Sequence, residues 1–160
     1  MTTRIRIGDI FAINLDAQSI RYMQYVADDD SQLRSNVVCV FQRVFPAGAA
    51  IDPEQLVLGE VYFHAHVFLR IGLRQKRWYK TGHAQARDAS TVLFRDTNDF
   101  GHPAVTVSKN WYVWRIGEAF TKVGELAPSI HHAEVGVVVP PDSLVHRART
   151  GTYDFVYPSF

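Results

Sequence analysis

The chain has a single cysteine, Cys39, so no disulfide can form within it and its stability must come from packing. No window approaches the uninterrupted apolar length that a bilayer-spanning helix requires. An excess of one charge is also missing. Lys and Arg number 17 against 16 Asp and Glu, and the resulting net charge of +1 speaks against a dedicated nucleic-acid or acidic-membrane binder. Any charged surface is therefore local. The sequence holds no Gly-x-Ser-x-Gly nucleophile elbow, no phosphate loop ending in Gly-Lys-Ser/Thr, no dinucleotide glycine fingerprint and no Cys-x-x-Cys pair. The commonest local signatures of hydrolases, nucleotide enzymes and thiol oxidoreductases are thus not present. Arg4 and Arg6 stand where a secretory signal needs its apolar stretch. With the lone cysteine, this predicts a soluble protein of a reducing cytoplasm.

What is present is a globular composition, 47% hydrophobic and 21% charged. At 160 residues one core is enough, and no repeat, charged tail or low-complexity linker divides the chain, so a single domain over 1–160 is expected. Ile5 with Ile7, then Phe11, Ile13 and Leu15, follow the two-residue period of a strand around a break at Gly8-Asp9. After the turn-like Asp16 to Ser19, the aromatic and β-branched run Ile20 to Val26 predicts the second arm of a hairpin. Asp28-Asp29-Asp30-Ser31 is expected to end it, because short acidic side chains bond their own backbone in turns and repel one another in regular structure.

Asn36 to Phe45 then reads as a central strand, and Val61 to Leu69 as a long one with Tyr62, His64, His66 and Phe68 on its second face. Further strands are expected at Arg77 to Thr81, Thr91 to Arg95, Ala104 to Ser108, Trp111 to Ile116 and Glu134 to Val139. Two short helices have punctuation. Asp52 caps the stretch Pro53 to Leu58 with Gly59 as terminator, and Pro140-Pro141-Asp142-Ser143 precedes Leu144, Val145 and Ala148, which cluster on one helical side before Gly151. Gly117 to His132 is readable either as a helix or as a bent strand pair. The expected class is α+β, predominantly β: a curved antiparallel sheet or partly open barrel with one or two short helices.

Candidate chemistry is sparse. His64 and His66 share a strand face, so both imidazoles can reach one metal ion, and a small metal-dependent barrel enzyme is the alternative reading they raise. The following Val67-Phe68-Leu69-Arg70 supplies a cation where the third, acidic ligand of such a barrel belongs, and histidines packed among Tyr62 and Phe68 or facing solvent are the simpler explanation of the pair. Cys39 lies in an apolar run that disfavours a thiolate. We therefore assign no catalytic residue, no metal ligand and no cofactor. Arg70, Arg74, Lys76, Arg77 and Lys80 surround Trp78 and Tyr79, a mixture that suits phosphates and bases, a solvated basic loop with Trp78 pinned in the core, or a protein interface, where Trp, Tyr and Arg are enriched. The near-neutral total charge weighs against nucleic acid.

The segment Gly8-Asp9-Ile10-Phe11-Ala12-Ile13-Asn14-Leu15, then Tyr22-Met23-Gln24-Tyr25-Val26, the Val-rich run ending in Phe41, and Arg77-Trp78 with Gly82 together resemble the immunity protein 26 family of bacterial polymorphic-toxin systems. The resemblance covers about the first half of the chain and lies in hydrophobic, glycine and tryptophan positions. It implies a cytoplasmic antidote that binds and neutralises a cognate protein toxin, with no membrane partner. For such a role the candidate partner-binding residues are Asp28, Asp29, Asp30, Arg74, Arg77, Trp78 and Tyr79. If the toxin is a nuclease, the acidic run can imitate nucleic acid before a basic active site.

Overall fold

β1 (Asp9–Asn14) and β2 (Ser19–Asp29) form the hairpin expected from the alternation, in antiparallel register from Ile10 opposite Gln24 to Asn14 opposite Ile20. In the computed structural model, which describes residues 3–160, this hairpin seeds a five-stranded antiparallel sheet. β3 (Ser35–Pro46) pairs with β2 and β4 (Val61–Val67) with β3, while β5 (Tyr79–His83) joins the far side of β1, giving the order β4-β3-β2-β1-β5. A second sheet, in the order β8-β7-β6-β9, is made of β6 (Phe94–Thr97), β7 (Trp111–Trp114), β8 (Thr121–Gly124) and β9 (Glu134–Val135).

Both faces of the first sheet are buried, which is why β3 reads apolar on both sides. One face carries Phe11, Met23, Val40 and Phe63 against Trp78 and against Leu144, Val145 and Ala148 of α3 (Pro141–Thr150). The other carries Ile10, Cys39 and Phe41 against Phe94 and Trp114 of the second sheet. Residues 134–139 belong to both sheets. Glu134 and Val135 pair with β6, then Val138 bridges His66 and the Val139 amide donates to the His66 carbonyl at 2.9 Å. Gly136 permits this crossing, because a Cβ there would lie 2.2 Å from the Trp114 ring. The fold is therefore mostly strand, with two sheets stitched on one side and not closed into a barrel.

Both punctuated helices are present: α1 (Pro53–Leu56), whose Asp52 side chain accepts from the Glu54 amide, and α3, which Gly151 ends in the left-handed conformation at φ 90°. A third, α2 (Leu69–Arg74), corrects the expected continuation of the strand through Leu69. Asn36 on β3 accepts the Leu69 amide at 3.0 Å and Trp78 donates to the Leu69 carbonyl at 3.1 Å, so tertiary partners fix this helix. Gly72 faces the same indole, and a Cβ there would fall 1.9 Å from it.

Elsewhere the strands are shorter than expected. Ala104 to Ser108 holds only the isolated bridge of Val107 with Ser159, and Glu134 to Val139 is strand for its first pair alone. Gly117 to His132 resolves into β8 and a 3₁₀ turn at Pro128–Ile130. No helix among the described residues is long and apolar enough to cross a membrane.

Candidate functional site

His64 and His66 do point to the same side of β4, toward the second sheet, opposite Cys39 and Val37 respectively. They do not share a ligand. His66 is wholly buried, its ring 4.3 Å from that of Phe94, and its Nε2 is 2.8 Å from Asp29 Oδ2. The same oxygen accepts from Trp114 Nε1 at 2.9 Å, and Asp29 Oδ1 accepts from the Ser31 and Gly117 amides, each at 3.0 Å. An ionised carboxylate only accepts, so Nε2 is the protonated nitrogen of His66 in this pair. Burial on its own raises the Asp29 pKa. The hydrogen bonds from His66, Gly117 and Trp114 outweigh it and hold the group down at about 2. His64 instead neighbours Glu134, whose Oε1 accepts the His64 amide at 3.3 Å and lies 3.9 Å from Nδ1. Among the described residues no group of three or more His, Cys, Asp or Glu side chains is arranged to hold a metal ion. Cys39 is fully buried, and that burial pushes its thiol up to about 12.

Asp29 is thus an interior residue, which corrects its place in the acidic surface run. β2 continues through Asp29, and the turn occupies residues 30–34. Asp28 and Asp30 remain exposed on either side of it; Asp28 accepts from Tyr25 Oη and Asn36, and Asp30 is 3.4 Å from Arg34. Trp78 is corrected in the same sense: at 2% exposure it is a core side chain and presents no stacking surface to a base or a partner.

The remaining basic residues stay outside. Gln75, Lys76 and Arg77 close α2 with paired bonds, the Lys76 amide to the Leu73 carbonyl at 3.1 Å and the Arg77 amide to the Gly72 carbonyl at 2.8 Å. Lys76 takes the left-handed position at φ 58° that glycine usually fills in this motif. Arg77 pairs with Asp142 of α3. Tyr79 is 45% exposed on β5, and beside it Lys80 reaches the buried Asp9 carboxylate at 3.0 Å. Burial raises the Asp9 pKa, and bonds from His83, the Arg6 amide and Lys80 more than offset this to leave it lowered. Arg74 and Lys76 meet no carboxylate at ion-pair distance among the described residues.

These two surfaces, far apart in sequence, are joined by Arg70 at the start of α2. It lines a shallow cleft with Asp28, Asp30 and Arg34, and its Nη1 lies 3.4 Å from the Thr3 carbonyl. Thr3 in turn lines a second depression with Lys76, Tyr79 and Lys80. No family model matches the chain, and neither a curated protein nor a solved structure matches it. The face has to be read from its own chemistry: a mixed end at the β2–β3 turn, where Asp28 and Asp30 meet Arg34 and Arg70, a basic end at α2 and β5, and an exposed tyrosine on an outer strand. Sequence reasoning missed Leu33 and Arg34 as part of it. Their only distinguishing mark, a positive φ in each, appears once the backbone is known.

Proposed function

We propose that this chain is an immunity protein: a protein-binding domain that docks on a cognate bacterial toxin and neutralises it. The single observation that carries the reading is the continuous exposed face running from Asp28, Asp30 and Arg34 through Arg70 to Lys76, Tyr79 and Lys80. A mixed-charge zone beside a basic one gives a docking surface orientation and a pattern that a complementary partner can match. The interior supports the same reading from the other side. Asp29 binds His66 Nε2, Trp114 and two backbone amides, and the Gln24 amide binds only backbone groups, so these buried polar groups hold the scaffold. The resemblance of Gly8–Leu15, Tyr22–Val26, the Val-rich run ending in Phe41, and Arg77-Trp78 with Gly82 to the immunity protein 26 family implies a protein toxin as partner and the cytoplasm as the place where such an antidote acts.

The test is co-expression with the products of the neighbouring genes, any toxin among them included. The expected outcome is cell survival and a complex that co-purifies, weakened when Arg74 and Lys76 are both replaced by Glu. A chain that neither binds nor protects against any neighbouring gene product overturns the proposal.

A further inference from the structure

The five-residue β2–β3 connection, residues 30–34, closes with a turn built against local preference. Ser35 donates its amide to the Gln32 carbonyl at 3.0 Å, closing a turn whose central residues, Leu33 and Arg34, have φ of 58° and 51°. Successive left-handed residues are the mark of the hairpin turn that favours Asn-Gly, because a Cβ crowds the backbone there. Leu33 is nonetheless a leucine, and it is 72% exposed, so its side chain gains almost no packing within its own molecule. The tip is held rigid from beneath. Asp29 fixes the Ser31 amide, Ser31 Oγ donates to the Glu118 carbonyl at 2.5 Å, Gln32 Nε2 donates to the Gly136 carbonyl at 2.7 Å, and Ser35 Oγ donates to the Gln32 carbonyl at 2.6 Å. These bonds tie the turn to the loop after β7 and to the segment that joins the sheets.

We infer that the Leu33–Arg34 tip is a preformed anchor that inserts Leu33 into an apolar pocket on the partner protein, with a carboxylate at the pocket rim to meet Arg34. The inference rests on the protein-binding reading above and adds its mode. A rigid, strained and solvent-facing apolar side chain is a cost to the free protein that burial in a partner recovers, and rigidity removes the ordering entropy that a flexible loop loses on binding. The chemistry of the surroundings selects a protein. Asp28 stands beside the tip and disfavours phosphate backbones and anionic lipid surfaces, and Arg34, whose Nε rests 3.4 Å from Asp30, offers its terminal nitrogens to a further carboxylate. One exposed leucine is also far short of the apolar area that membrane attachment needs.

The experiment uses the whole chain and a phage-displayed random-peptide library as probe. The chain is panned, and the enriched peptides are measured against the wild type, against Leu33→Ser, and against the double variant Leu33→Asn with Arg34→Gly, which supplies the residues the turn prefers. The expected result is that both variants stay folded, the double variant melts at a higher temperature, and each loses affinity by roughly thirtyfold, the size of a binding hot spot. Peptides that bind the variants as tightly as the wild type, a library that yields no peptide directed at the tip, or a double variant that melts at a lower temperature each overturn the anchor. Toxin protection is scored separately, so a failed anchor with intact protection refutes the tip alone, and lost protection with tip-directed peptides refutes the toxin reading alone.

Discussion

Replacing Asp29 by Asn tests whether one buried carboxylate fastens the two sheets. Asp29 is fully buried, and its folded pKa of about 2 lies below the ordinary 3.8. That gap corresponds to folding stability on the order of 2 kcal/mol. The sign follows from the direction of the shift. A carboxyl group with a depressed folded pKa contributes in full above 3.8, and the contribution drains away as the pH falls through about 2. In the Asn variant one oxygen becomes an NH2 group and faces either Trp114 Nε1 and His66 Nε2 or the Ser31 and Gly117 amides. His66 can switch tautomer to accept, but the indole and the amides cannot, so at least one buried donor loses its partner at a cost of about 1–3 kcal/mol. Together with the lost charge, the expected destabilisation near neutral pH is about 2–4 kcal/mol. Urea unfolding followed by tryptophan fluorescence at a series of pH values measures both quantities, and Asp9, also lowered, cancels when the variant is compared with the wild type. A loss under about 1 kcal/mol, or equal acid slopes for the two proteins below the ordinary carboxyl pKa, refutes the reasoning.

Gly72→Ala places a methyl group 1.9 Å from the Trp78 ring and is expected to cost about 3 kcal/mol or more, read as a lowered thermal midpoint; a neutral effect contradicts the packing. Lys76→Gly relieves a left-handed lysine at the end of α2 and is expected to stabilise the fold by up to about 1 kcal/mol, while thinning the basic end of the face so that binding of the proposed partner weakens. Leu144→Ala empties a fully buried position under α3 and is expected to cost about 2–5 kcal/mol in denaturant unfolding. Cys39, buried with its thiol raised to about 12, is expected to resist a thiol reagent in the native state and to react only as fast as the protein opens; prompt labelling rules this out.

Local signals carried the parts of the fold that depend on local chemistry. Asp52 with Pro53, and Gly151 after a basic turn, mark helix ends by capping rules that act within a few residues, and both helices are where those rules place them. The α2 helix was not legible because its supports are distant: Asn36 lies 33 residues from Leu69, and the Gly72–Trp78 contact crosses a turn. Asp29 escaped for a different reason. A strict two-residue period from Gln24 places Val26 and Asp28 toward the second sheet, but the register slips between Tyr25 and Ala27, and after this bulge Asp29 points in and Asp28 out. A single inserted residue thus converts an apparent acidic patch into one buried anchor and two exposed carboxylates. Trp78 was misplaced because residue type alone does not separate a core tryptophan from an interface one; the glycine cut to its ring six positions earlier is the local trace of its burial.

The strand shared between the sheets has a kinetic consequence. β4 lies near the middle of the chain, yet its edge stays bare until residues 134–139 arrive, and those residues simultaneously complete β6. A nascent or truncated chain ending before them exposes two open edges together, which is a recipe for intermolecular pairing. Once the segment docks, neither sheet can peel away without breaking the other, so melting should be a single step shared by every probe.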